Sequence, residues 1–204
     1  MMIELPPPQF DSDVSIEQAL SLRRSVRKFS SARVSPGALS QLLWAAAGQT
    51  DSEGHRTTPS AHALYPLDLW VATGRVEGIT PALYRYAADV QGLTPSAPGD
   101  IRAGLADAAI TDQPWVAEAA AILIVTARLT EVQAHFADQP PGDRGQRYAH
   151  IEAGSMAQSI ALQATAIGCG SVLVGGFRDA AVQDLCRFTT DQAPLALICV
   201  GLPA

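Results

Sequence analysis

The chain has 204 residues, of which 48% are apolar and 17% charged, enough for one domain with its own core and too few for two comfortable ones. Its formal net charge is −6 and no basic stripe runs along it, so a nucleic-acid module is not expected. No apolar run approaches the ~18 residues needed to span a bilayer, and Met1 to Phe10 has neither a basic start nor an apolar stretch, so no signal peptide is expected and the chain reads as a soluble, cytoplasmic protein.

The elements follow in order. Residues 1–14 read as an extended arm, with Pro6-Pro7-Pro8 in polyproline geometry rather than a folded element. Ser15-Ile16-Glu17-Gln18 is a capping box that opens a helix to about Leu22. Ser35-Pro36 opens a second helix that stops at Gly48. A polar loop from Gln49 to about Pro59 precedes candidate strands at Leu67–Thr73 and Ala82–Val90, close enough to pair antiparallel. Pro95 to Gly99 reads as a loop and Ile101 to Ile110 as a short helix. Ala119 to Ala127 is a continuous apolar run, suited to a strand buried on both faces. A helix near Glu131–Ala137 ends at Pro140-Pro141-Gly142.

A long helix is expected over Arg147–Ile167, with Ile151, Gly154, Ala157, Ile160, Ala161 and Ala164 along one side. A strand at Ser171–Val174 runs into Gly175-Gly176, followed by a helix at Arg178–Phe188 and a last strand at Pro194–Val200. The order predicts an α+β (mixed α/β) fold in one domain over 15–204, with a central, mostly antiparallel sheet flanked by helices. The cysteines at 169, 186 and 199 are odd in number and lack metal-ligand spacing, so they read as buried free thiols and no metal site is expected.

Three segments could carry chemistry. Arg23-Arg24-Ser25-Val26-Arg27-Lys28 gathers four cations in six residues. Guanidinium forks and the Ser25 hydroxyl suit a phosphate, but a solvated helix end explains the charges equally well. Arg56 to Pro66 is a polar loop that turns into small residues, which let backbone approach a flat ligand. Gly168 to Arg178 carries a strand into paired glycines that free backbone N–H groups. It is not a dinucleotide fingerprint, since its Gly-x-Gly precedes the strand.

Taken together, Arg23-Arg24-Ser25-x-Arg27-x-Phe29, Pro59-Ser60 before a strand and Gly176-Phe177 after one resemble the nitroreductase superfamily over about Ser15 to Pro203. Leu42-Leu43-Trp44-Ala45-Ala46, Pro59-Ser60-Ala61-x-Ala63-Leu64-Tyr65-Pro66 and Glu152-Ala153-Gly154 with Gln158 look like its SagB-type dehydrogenase branch. The resemblance implies an interlocked homodimer with FMN at the subunit interface. It implies that Arg23, Arg24, Ser25 and Arg27 meet phosphate and ribityl. Pro59, Ser60, Ala61 and Leu64 would come from the other subunit, and Val174, Gly175 and Gly176 would face the ring. It further implies ping-pong transfer from NAD(P)H through FMN to a small conjugated electrophile of nitroaromatic or quinone type. The alternatives are a dehydrogenase acting on a peptide or natural-product precursor and a flavin-binding protein without turnover.

The sequence departs from the family pattern in three places. The basic pair that many relatives carry near the C-terminus is absent, which leaves the phosphate to the first cluster with Arg178 as a candidate helper. Pro140-Pro141 stand where azoline-oxidising members carry a Lys-Tyr dyad. His62 stands where relatives often have Gly, and reads as a proton donor or, more simply, a satisfied loop histidine. Tyr148 is the other weak catalytic candidate. Tyr84, Tyr86 and His150 are further candidates for a substrate pocket, with packing the simpler reading of the tyrosines.

Overall fold

The apolar run at Ala121–Arg128 is an interior strand of a seven-stranded sheet. The computed structural model describes residues 1–204. Its strands are β1 (Ile3–Glu4), β2 (Leu67–Thr73), β3 (Ala82–Ala87), β4 (Gly92–Pro98), β5 (Ala121–Arg128), β6 (Gly170–Val174) and β7 (Gln192–Gly201). They lie in the order β1-β4-β3-β2-β5-β7-β6, and every ladder is antiparallel. Parallel pairing is confined to isolated bridges, Ser25 with Ser171 and Val34 with Val76. The helices are α1 (Ile16–Leu22), α2 (Pro36–Ala47), α3 (Arg102–Ala108), α4 (Trp115–Glu118), α5 (Leu129–His135), α6 (Arg144–Ala166) and α7 (Asp179–Cys186). None of them is long and apolar enough to cross a membrane.

Strand periodicity divides the core between the two faces of the sheet. In β5, Ala121, Leu123, Val125 and Ala127 join a core shared with α2 and α6, while Ile122 and Ile124 join a second core under α3, α4 and α7. A residue buried on either face must be apolar, which is why this strand shows no polar alternation. The ends of α1 and α2 form as their sequences direct. Ser15 accepts from the Gln18 N–H while the Gln18 side chain accepts from the Ser15 N–H, and the Ser35 hydroxyl accepts from the Ala38 N–H.

Three expectations are corrected. The first arm is not wholly unfolded: Ile3–Glu4 pairs with Leu93 and Gly92, Leu5 is buried, and Ser40 and Gln41 bind the backbone of Pro6 and Gln9. Pro95–Gly99 is not simply a loop, because Gly92–Pro98 is strand β4. Its prolines are tolerated because β1 covers only Gly92 and Leu93, and because Pro95 sits at a register shift opposite Tyr84. The buried side of α6 is also rotated from the expected stripe. Ala149, Glu152, Ala153, Met156, Ala157, Ile160 and Ala164 are buried, whereas Gly154 is exposed and Ile151 is 60% exposed.

Candidate functional site

The basic segment is built into the sheet edge. After α1, the Val26 N–H donates to the Ser171 carbonyl at 2.9 Å, so Ser25 extends β6 by a parallel bridge. The Ser30 N–H then donates to the Leu202 carbonyl, and the Ala204 N–H to the Lys28 carbonyl. Two glycines make the seat. A Cβ on Gly170 would stand 2.7 Å from Val26 Cγ1, and one on Gly201 would stand 2.9 Å from Phe29 Cδ1. Only a hydrogen in place of the side chain lets the segment lie this close. Val26 and Phe29 turn toward the sheet, and the charged neighbours remain outside.

No acidic side chain pairs with Arg23, Arg24, Arg27 or Lys28. Arg24 bonds only the carbonyls of Ser21 and Arg23, and Arg27 lies 5.5 Å from the centre of the Trp115 ring. Arg23 and Ser25 line a cavity of about 210 Å³ with Gly154 and Gln158 of α6 and with Ser171 and Leu173 of β6. The cavity therefore joins the first motif, the small-residue motif of α6 and the strand of the third motif. Its volume is below the roughly 300–1,000 Å³ of a complete pocket for a drug-sized ligand. Gly154 and Gln158 belong to a motif visible in the sequence, but their place beside Arg23 becomes visible only when the helix is docked.

The Pro59–Leu64 segment lies elsewhere. Glu152 is buried under it, next to the Ser60 hydroxyl, which accepts from the Tyr65 N–H. Burial raises the Glu152 carboxyl above its usual range, partly offset by the Ser60 hydroxyl and by the Arg56 and Arg128 charges. Glu152 and Gly154 are two positions apart, about 200° around a helix of 3.6 residues per turn. Ser60 and Arg23 thus flank opposite sides of α6, and the two predicted groups are not brought together within one chain. Pro59 is exposed, Ser60, Ala61 and Leu64 are half-buried, and a short 3-10 turn covers Ala61–Ala63.

His62 adopts φ 55°, Ala63 φ 53° and Tyr65 φ 48°. This left-handed region strains a residue with a side chain, and a glycine at position 62 would adopt it freely. His62 Nδ1 lies 3.1 Å from His135 Nε2 and its ring packs on Phe136, which also packs on Tyr148. The two weak catalytic candidates therefore share one aromatic cluster, with the Tyr148 hydroxyl bonded to Gln139.

Val174 is buried, and Gly175 and Gly176 follow with their N–H groups donating to no group of the chain. Arg178 is used at the end of α3, where its guanidinium donates to the Asp107 carbonyl, and it does not line the Arg23 cavity. Tyr84 and Tyr86 are buried in the core and bond Thr80 and Gln91; neither lines the Arg23 cavity, and Tyr86 lines a separate cavity beside Arg56 and Arg85. His150 is exposed on α6. All three thiols are buried, and burial pushes Cys169 up to about 11 and Cys186 and Cys199 up to about 12.

The model of the nitroreductase family matches residues 20–202. The chain belongs to the nitroreductase family. A Methanocaldococcus jannaschii protein that bears a provisional nitroreductase name is 35% identical over 201 residues, covering 98% of this chain and 96% of that protein. A crystal structure from Ralstonia eutropha JMP134, also provisionally named a nitroreductase, superposes with a TM-score of 0.83 at 28% identity, covering all of this chain and 90% of that one. One from Anabaena variabilis ATCC 29413, named likewise, gives 0.85 at 25% identity, covering all of this chain and 42% of that one. The family membership makes the chain an oxidoreductase.

Proposed function

We propose that this nitroreductase-family chain works as a homodimer that binds FMN between its copies. In this reading it passes reducing equivalents from NAD(P)H to a small conjugated electrophile of nitroaromatic or quinone type. The observation that carries the reading is the unpaired cationic segment seated against β6 at the mouth of a cavity. Arg23, Arg24 and Arg27 have no carboxylate partner within the chain, and a phosphate would neutralise them with charge-assisted hydrogen bonds.

Bound FMN would supply reversible storage of two electrons. The protein groups bind and orient. Arg23 and Arg27 would hold the phosphate, and Ser25 would add a hydroxyl donor. The unbonded N–H groups of Gly175 and Gly176 would donate to the ring edge, and Val174 would close one side. Pro59, Ser60, Ala61 and Leu64 would come from the second copy, because within one chain they sit across α6 from Arg23. The apolar residues Ile16, Leu20 and Leu22 of α1, Ile151 of α6 and Leu173 of β6, each 53–63% exposed, support a second copy, since covering apolar surface is favourable. Position 62 would set a histidine at the rim of that shared site.

The test is anaerobic reduction of the purified protein. A yellow flavin spectrum that bleaches on adding NADH or NADPH, and recovers with a quinone, supports the reading. Bound flavin that NAD(P)H leaves oxidised would point instead to a dehydrogenase or to a protein without turnover.

A further inference from the structure

A second arginine group lies away from the Arg23 cavity. Arg56, Arg85 and Arg128 line a cavity of about 290 Å³ between the loop before β2 and the strands β2 and β3. Asp68 is buried on β2 and its two oxygens are already taken: Arg85 Nη2 donates to Oδ1 at 2.6 Å and Arg128 Nη1 to Oδ2 at 3.2 Å. Arg128 also donates to Glu131 and to the Tyr65 carbonyl. Arg56 differs from both. It is half-buried, it stacks at 4.6 Å from the centre of the Tyr65 ring, and it donates to no group of the chain and pairs with no carboxylate. Arg85 keeps Nε and Nη1 free, since its one bond is through Nη2.

The geometry points to a second ligand site here, one that takes a small organic anion. The carboxylate or phosphate of the ligand meets the free donors of Arg56 and Arg85, and its apolar remainder lies along Ala87 and Ala88, which also line the cavity. The Arg56 guanidinium has no polar partner in the chain and is not fully buried, so its donors are open to a planar anion, which a guanidinium binds bidentately. Asp89, exposed, and Asp68 also line the cavity, so a singly charged anion is favoured there over a polyanion. The site does not depend on flavin chemistry. Its back wall is Tyr65, so an occupant would brace the strained segment that ends there.

Calorimetric titration at low ionic strength tests this, with sodium benzoate and sodium phosphate as separate probes. Phosphate is titrated into wild type and Arg23→Ala, so that any binding at the Arg23 cavity is subtracted. At least one anion is expected to saturate a site, weakening on the order of tenfold or more in Arg56→Ala and in Arg85→Ala, unchanged in Arg23→Ala, and weakening with added sodium chloride. Benzoate binding alone assigns the site to carboxylates, and phosphate binding alone assigns it to phosphate esters. If Arg56→Ala fails to fold by circular dichroism, Arg85→Ala carries the comparison, since that side chain is 54% exposed. No saturable binding of either anion would overturn the proposal, and so would binding that survives both variants or that disappears in Arg23→Ala.

Discussion

The segment from Arg23 to Arg27 and the group around Asp68 use the same side chain in opposite ways. At Asp68, two guanidiniums are folded onto a buried carboxylate that the chain itself provides. At Arg23, Arg24 and Arg27 the chain provides no counter-charge; their segment bridges the edge strand β6 through Ser25, and Arg23 lines the cavity beside it. In the proposed reading, the arginines around Asp68 chiefly hold the fold together, and those left unpaired are available to a ligand from outside the chain. The contrast separates stability from function within one residue type, and substitutions can test it.

The largest effect is expected at Asp68. Asp68→Ala leaves Arg85 and Arg128 without their shared partner in partly buried positions and should lower unfolding free energy by about 2–4 kcal/mol. That is below the upper range for fully buried pairs because Arg85 is half exposed. Arg23→Ala should change it by less than about 0.5 kcal/mol, as for other surface substitutions. Urea unfolding of the two variants side by side checks the comparison, and equal losses would break it.

Next is the seat of the segment. Gly170→Val drives a side chain into Val26, whose Cγ1 would lie 2.7 Å from the new Cβ. A loss of roughly 1–3 kcal/mol is expected, as for other over-packing changes, together with faster amide exchange at Val26. Unchanged exchange there would show that the segment has another anchor.

Gly154 tests the open side of α6. An added Cβ meets nothing within 4 Å, so Gly154→Ala should gain roughly 0.5–1 kcal/mol from helix propensity alone. Thermal melting across a protein dilution series reads it. A gain at high dilution that turns to a loss at high concentration would locate a second copy against this position.

The smallest effect is at Glu152, on the other side of the same helix. Burial raises its carboxyl, so its contribution to stability is full below the ordinary carboxylate range and declines as pH rises through the raised value. Glu152→Gln removes that slope. Its melting temperature relative to wild type should therefore improve from about pH 5 to about pH 8, by no more than roughly 2–4 °C. A relative change of the opposite sign would mean that attraction to Arg56 and Arg128 outweighs desolvation.

Much of this fold is written locally. Ser15 with Gln18, and Ser35 with Pro36, mark helix starts because caps are made by residues next to each other in the chain. Leu67–Thr73 is legible because both its faces are buried. What escaped depends on distant partners. Strand β4 looks like a loop because Pro95 and Pro98 are tolerable only beside a partner that leaves them uncovered. Ile151 looks like core because its side chain is apolar, but helix docking faces it outward. The candidate site divides in the same way. Arg23, Ser25 and the glycine turn are visible as motifs, whereas the closeness of Gly154 to Arg23 and of Glu152 to Ser60 follows from how α6 is docked.

The central claim is that the unpaired arginines hold FMN phosphate, and flavin retention tests it most directly. Wild type and Arg23→Ala are purified identically, reconstituted with FMN and gel-filtered, and bound flavin is measured by absorbance alongside oligomeric state and melting temperature. The account predicts a yellow wild type and an Arg23→Ala variant that keeps the wild-type size and melting behaviour while losing most of its flavin. A colourless wild type that does not take up FMN would contradict it, as would a folded Arg23→Ala variant that retains flavin as well as wild type.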